Sequence, residues 1–368
     1  MKEQTRADVI IRADFVAWNW WRRCGRGMGL MQGARLIGLD WGTSSLRAYL
    51  FGDNGMALAE RMAPSGVMHL QRFLPPGKTE APREQLIEAA FDEICAEWLA
   101  EKGRNLQVIA CGMVGSTVGW KEAAYLKVPV GTGALAKALT MVKTADGVTV
   151  QIVPGICAAG VPGKSFPEIL RGEETQIAGI IARLAVPESG ASENLLIGLP
   201  GTHSKWVQVR DREIVSFSTF VTGELYGLLT RYSVVAKSEK KPELLDAESF
   251  HLGLQLGRAR TGEAAGGLLS TIFSTRSKRV LSELREEQQP DYLSGLLIGE
   301  ELASVQRVLA RDQRSLSDYS RILLAGDRAL CTRYQAACRQ LSWPVPDFVE
   351  GATELGLWSI AWAAGLVN

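Results

Sequence analysis

Residues 37–51, IGLDWGTSSLRAYLF, return half a chain later as residues 197–209, IGLPGTHSKWVQV. In each copy an apolar run meets a Gly-Thr-x-Ser turn, Gly42-Thr43-Ser44-Ser45 or Gly201-Thr202-His203-Ser204, and a second strand-like run follows. The pattern predicts strand, tight turn, strand. Glycine at such a turn permits positive φ and close backbone approach, while hydroxyls and unpaired N–H groups can face an anion. A lone Gly-Thr hairpin is more often an ordinary turn than a phosphate site. Two of them, facing each other across a cleft, can grip one polyphosphate from both sides. Laid over each other from Ile37 and Ile197, the copies set Asp40 against Pro200, so only the first is expected to serve a metal. A carboxylate at the end of a buried strand suits Mg²⁺, which keeps most of its waters and takes one or two carboxylates plus nucleotide phosphates.

Length and composition bound the rest. The 368 residues have room for two domains, each with its own core. The 46% hydrophobic and 22% charged fractions are those of an ordinary globular protein. With 41 basic against 40 acidic residues, a general nucleic-acid surface is not expected. Six scattered cysteines without a CxxC pair predict reduced thiols in a cytoplasmic protein, and three histidines make a His-rich metal centre improbable. No apolar run approaches the ~20 residues of a membrane helix.

Taken in order, residues 1–34 form an extension that fits least well, with Trp18, Trp20, Trp21, Arg22 and Arg23. It is read as a start codon assigned too early, with Met28 or Met31 as the alternative start, or as a disordered segment. Residues 57–63 supply a third strand, residues 84–101 carry helical apolar spacing, and residues 106–111 read as a buried strand parallel to the first. A glycine-rich loop, residues 112–122, follows directly, where open α/β sheets bind ligands. Its Ser116, Thr117 and Lys121 can serve hydroxyls and a carboxylate, and Trp120 can wall a pocket. The bland reading of this loop is a structural turn.

Another strand is expected at 148–153. Residues 158–165, AAGVPGKS, then match a loose phosphate-loop pattern with Lys164 and Ser165. The strand ends too early and Pro167 falls where a helix should begin, so the match is discounted. Arg171-Gly172-Glu173-Glu174 opens a strong helix pattern whose first-turn acids the helix dipole alone would favour. Residues 213–220 give a third strand in the second half, and Thr222 is a natural N-cap with Glu224 as a first-turn charge. Helices are expected at 247–257, 266–274, 292–309 and 329–341, with a strand at 321–324 and a closely packed small-residue helix at 351–365.

Together the two hairpins resemble the first and second phosphate motifs of the sugar kinase, Hsp70 and actin superfamily. LDWGTSSLRAYL, GMVGSTVGWKEAAYLKVP, RGEETQ, PGTHSKWV, TGEL, SGLLIGEE and LAGDRALCTRYQ occur in the order seen in the 2-dehydro-3-deoxygalactonokinase family, from about Leu36 to the C-terminus. The resemblance implies an α/β fold of two related actin-like (ribonuclease H-like) domains, 35–188 and 189–368, with a nucleotide cleft between them. It implies ATP and Mg²⁺ as cofactors, a small sugar acid as substrate, and no nucleic-acid or membrane partner; a homodimer is one option for assembly. Phosphates would touch Gly42, Thr43, Ser44, Gly201, Thr202 and His203, and Gly326 would lie by the adenosine. Asp40 would organise the metal, Arg47 would stabilise the transferring group, and Glu174 or Glu173 would act as base. Gly115, Ser116, Thr117, Trp120, Lys121 and Arg171 would bind the sugar acid. Rivals on the same fold are a phosphohydrolase of exopolyphosphatase type and a non-catalytic nucleotide switch.

Overall fold

The computed structural model describes residues 33–102, 106–163, 165–184, 193–237, 245–259 and 267–368. Residues 1–32, with the tryptophan-rich extension, and Lys164 lie outside them.

The first half opens with the meander β1 (Leu36–Trp41), β2 (Leu46–Phe51) and β3 (Ala57–Ala63). Helix α1 (Arg83–Lys102) then crosses over, and β4 (Gln107–Gly112) returns parallel to β1. Next come β5 (Tyr125–Lys127), α2 (Thr132–Lys137), β6 (Thr140–Lys143), β7 (Thr149–Ile152), β8 (Gly155–Ala158), β9 (Glu168–Leu170) and α3 (Glu173–Arg183). The second half repeats the plan with β10 (Asn194–Leu199), β11 (Ser204–Arg210) and β12 (Glu213–Phe220). Helices α4 (Thr222–Tyr232), α5 (Ala247–Arg258), α6 (Leu268–Val280) and α7 (Gln289–Arg311) make its crossover. The chain ends with β13 (Arg321–Leu324), α8 (Arg328–Gln340), β14 (Asp347–Phe348) and α9 (Ala352–Ala363).

Strand order in the large sheets is β3-β2-β1-β4-β7-β6 and β12-β11-β10-β13-β14. Leaving out the edge strand β6, the two orders are the same, which makes the halves structural repeats of the actin-like kind.

Period-two alternation sorts the side chains into layers. Ile37, Leu39 and Trp41 face α1, whose Ile87, Ala90, Phe91, Ile94 and Trp98 recur at helical spacing in the same outer core. Leu36 and Ile109 face the middle of the molecule, where they share a second core with Ile197, Leu199 and Val207 of the second sheet and with Ile177, Ile180, Leu357 and Ile360 of α3 and α9. These two helices cross so closely that a Cβ on Gly179 would fall 1.9 Å from the Ala352 carbonyl oxygen, and one on Gly356 would fall 1.8 Å from that of Thr175. Although α9 ends the chain, it also touches β1 and β4 of the first sheet, so the last helix of the second half packs across the middle. A third core, with Leu196, Trp206, Phe250 and Leu302, lies outside the second sheet.

The structure corrects three expectations and agrees with the discounting of AAGVPGKS. Facing strands pair Asp40 with Arg47 and Leu199 with Lys205. Both pairs point to the middle, so the counterpart of Asp40 is Leu199 rather than Pro200. Six residues, 41–46, separate the first pair and five, 200–204, the second, and one missing residue flips every side chain to the other face. The AAGVPGKS segment joins β8 to the antiparallel β9, so the helix that a phosphate loop requires is absent there. Trp120 is 7% exposed and packs edge-on to Trp41 and against Phe91 in the outer core, so it walls no pocket. Thr222 is the first residue of α4 rather than its N-cap, and its hydroxyl donates to the buried Glu301 carboxylate.

Candidate active site

The chain braces both Gly-Thr hairpins from behind in the same way. In the first, Gly42 N donates to Ser45 O at 2.9 Å, leaving Thr43 and Ser44 exposed at the tip. Val67 N and Met68 N donate to the Gly42 and Thr43 carbonyls at 3.0 and 3.1 Å. In the second, Glu224 N donates to Thr202 O at 2.9 Å, and Thr202 and His203 are exposed. Each brace needs glycine for its close approach. A Cβ on Gly66 would sit 2.3 Å from Thr43 O, and one on Gly223 would sit 2.2 Å from Gly201 O. His203 Nε2 and the Glu224 carboxylate lie 2.8 Å apart, fixing the imidazole at the tip.

Asp40, next to the last residue of β1, lies on the middle face, partly exposed. Burial raises its carboxyl above the ordinary range, Arg47 beside it pulls it back, and Glu354 and Glu173 push it up. The two acids that open α3 divide clearly. Glu174 is 0% exposed, accepts from Gly172 N at 2.6 Å and Thr175 Oγ1 at 3.1 Å, and is pushed up to about 7 by burial and by Glu173. Glu173 is partly exposed and accepts from Arg171 N at 3.0 Å. Burial raises its carboxyl too, opposed chiefly by the positive charge of Lys205 on the second sheet. Successive helical residues point about 100° apart, which is why one of the pair meets the cleft and the other the core.

Residues of the glycine-rich loop take different positions. Ser116 Oγ donates to Met113 O at 2.7 Å and holds the turn, Thr117 is exposed, and Lys121 Nζ donates to Met141 O at 3.0 Å on the outer edge. Gly115 lies beside Arg171, where a Cβ would come within 2.8 Å of Nη1. The guanidinium stacks 4.3 Å over the Tyr125 ring, and Nη2 donates to Ala123 O at 2.7 Å. Among the described residues, its buried Nη1 has no acceptor.

On the other side of the cleft, Gly326 adopts φ +132° directly behind the second hairpin, 3.1 Å from Pro200 O at its Cβ position. Asp327 caps α8 by accepting from Leu330 N at 2.8 Å, so its carboxylate serves the helix start. Behind the hairpin, Glu301 is 2% exposed and receives Trp206 Nε1 at 2.8 Å, Tyr334 OH at 2.7 Å and the Thr222 hydroxyl. The motifs TGEL and SGLLIGEE, far apart in sequence, meet at this carboxylate. Three groups went unnoticed in the sequence: Gly66, Glu354 and Lys205. A Ser-Gly-Val step after β3 that mirrors Thr-Gly-Glu after β12 was the available signal for Gly66.

A sequence profile described as 2-keto-3-deoxy-galactonokinase matches residues 40–360. The chain belongs to this family. Its relatives include the 2-dehydro-3-deoxygalactonokinase of Escherichia coli (strain K12), 36% identical over 332 residues that make up 90% of this chain and 98% of the relative. A Rhizobium meliloti (strain 1021) protein provisionally given that kinase name is 33% identical over 72% of this chain and 78% of its own length. Among solved structures, a Sinorhizobium meliloti protein provisionally given the same name superimposes with a TM-score of 0.73 at 30% identity, over 89% of this chain and 98% of its own.

Proposed function

We propose that this protein transfers the γ-phosphoryl group of ATP to the 6-hydroxyl of 2-dehydro-3-deoxy-D-galactonate. The observation that carries the reading is the family match, which spans both braced hairpins and the acidic start of α3. Neither a polyphosphate hydrolase nor a nucleotide switch is favoured by it. Phosphoryl transfer asks for positioning and charge neutralisation more than covalent chemistry. The hairpin tips offer backbone N–H groups and hydroxyls to the phosphates from both sides, and Gly326 leaves room for the adenosine beside the second.

Glu173 is the base. It is the acid of the pair that reaches the cleft, and it would take the proton of the 6-hydroxyl as that oxygen attacks the γ-phosphorus and ADP leaves. Arg47 would stabilise the charge on the transferring group. Arg171 would pair with the sugar-acid carboxylate, a role supported by its buried Nη1, which no acceptor among the described residues satisfies. Among the described residues no cluster of three His, Cys, Asp or Glu can hold a metal by itself. A single cleft carboxylate, Asp40, fits an Mg²⁺ that arrives on the nucleotide, held through water; such an ion would neutralise the β- and γ-phosphates. Cys95, Cys111, Cys157, Cys331 and Cys338 are free thiols, in keeping with the cytoplasm as its compartment. No helix of the described residues is long and apolar enough to cross a membrane.

The test is ADP release from ATP and Mg²⁺ with and without 2-dehydro-3-deoxy-D-galactonate, with the gluconate-derived epimer as comparison. Turnover that requires the galactonate derivative is expected. Equal turnover with both epimers would widen the substrate assignment, and ADP release indifferent to either would end the kinase reading.

A further inference from the structure

Lys205 is the least expected side chain in the cleft. It lies on β11 at the last middle-facing position beside the turn, and only 6% of it is exposed. A buried ammonium ordinarily needs full pairing. Among the described residues its hydrogen-bond partner is Thr219 Oγ1 at 3.0 Å, which occupies one of three N–H donors. The residue across the ladder is Leu199, which offers no charge. The carboxylates whose fields it feels, Glu173 and Glu168, both belong to the first half. Glu168 is itself engaged, accepting from Thr219 N at 3.1 Å.

The duplication gives this position a meaning. Lys205 stands to the second hairpin as Arg47 stands to the first: each follows the Gly-Thr turn, each points to the middle, and each pairs across the ladder with the last middle-facing residue of the preceding strand. Arg47 has Asp40 opposite it, whereas Lys205 has spare donors and faces the proposed base across the cleft. We propose that Lys205 is a further catalytic cation, meeting the transferring phosphoryl group from the second half as Arg47 meets it from the first. The inference rests on the kinase reading above. A desolvated, fixed cation costs no reorganisation when charge builds on the phosphoryl oxygens, which is where such groups lower barriers most. The competing role is a strut, in which Lys205 merely ties the halves together through Thr219 and Glu173.

The two roles separate in the kinetics of Lys205→Met, which keeps the length of the stem and removes the charge. With ATP and the sugar acid saturating, kcat falls about 100-fold or more. Both KM values and the melting temperature stay near those of the parent, and Lys205→Arg regains a substantial part of the lost kcat. Should Lys205→Met melt well below the parent, Lys205→Gln, which can still hydrogen-bond Thr219, is measured in the same way. A kcat within about threefold of the parent, or a loss carried wholly by melting temperature or KM, would establish the strut and overturn the proposal. A parent enzyme that makes no sugar phosphate would instead bring down the kinase reading, and this inference with it.

Discussion

The two hairpins are built alike and equipped differently. Both are braced by a glycine whose Cβ would collide with the turn, and both send a cation to the middle of the molecule, Arg47 from the first and Lys205 from the second. The first hairpin adds a carboxylate, Asp40, where the second has Leu199, and the proposed base Glu173 enters from a helix of the first half. The second adds His203, tied to Glu224, and stands on the buried hub of Glu301. On the proposed reading, a duplicated scaffold supplies the shared task, holding phosphates, twice. The unshared tasks it assigns, managing a metal and removing a proton, fall to the first half. In the second half Ser204 and Trp206 anchor the strand after the turn to α8 and α7, and Thr222 of α4 joins Trp206 at Glu301 of α7.

This division of labour can be broken at graded strengths. The largest effect is expected from Glu173→Gln, which removes the base from the first half: steady-state kcat should fall about 10²–10⁴-fold with ATP binding retained. A fall of less than tenfold would remove Glu173 from that role. Next come Gly66→Ala and Gly223→Ala, which push a methyl into equivalent places behind the two turns. A displacement near 1 Å costs about 10²-fold, so kcat/KM for ATP should drop by that order in both. Loss in only one of them would show that a single hairpin grips the nucleotide.

Asp40→Asn sharpens the asymmetry. A carboxylate acting on the metal through water is worth about 10–100-fold in metal affinity, read as a higher Mg²⁺ requirement that excess Mg²⁺ partly relieves. Glu174→Gln should act on stability instead. Burial lifts the Glu174 carboxyl to about 7, above its value in the unfolded chain, so the folded state holds the proton more tightly. Its contribution is greatest below the unfolded value near 4.5 and declines as pH rises towards 7. In Glu174→Gln this decline should vanish, leaving a variant more stable than the parent above pH 7 by on the order of 1–3 kcal/mol in denaturant unfolding. The smallest effect is expected from Lys164→Ala, which should leave kcat and both KM values unchanged, because AAGVPGKS leads into a strand.

How much of this was legible in the sequence follows from where the determinants lie. The hairpins were legible because glycine and hydroxyl residues at a turn act locally, and α1 because its apolar spacing is its own. The pairing of Asp40 with Leu199 was hidden, since facing depends on strand register and the second turn is one residue shorter. Trp120 misled because an aromatic beside a glycine loop reads the same whether it lines a pocket or plugs a core. Strands β5, β8 and β9 are only three or four residues long, too short for a period to emerge. Glu173 and Glu174 could be told apart only once the helix had a core to face. Lys205 was in plain view within GTHSKW, but the carboxylates whose charges it feels, Glu173 and Glu168, come from the opposite half of the molecule.

The most direct measurement is the product itself. After ATP, Mg²⁺ and 2-dehydro-3-deoxy-D-galactonate are incubated with the protein, phosphorus NMR and mass spectrometry identify where the phosphoryl group has gone. A cleft gripped from both sides, with a base aimed at the acceptor, predicts one phosphate ester on the primary 6-hydroxyl in step with ADP, and little free phosphate. Free phosphate without an ester would contradict the account, since it would mean that the two hairpins hold the nucleotide for water.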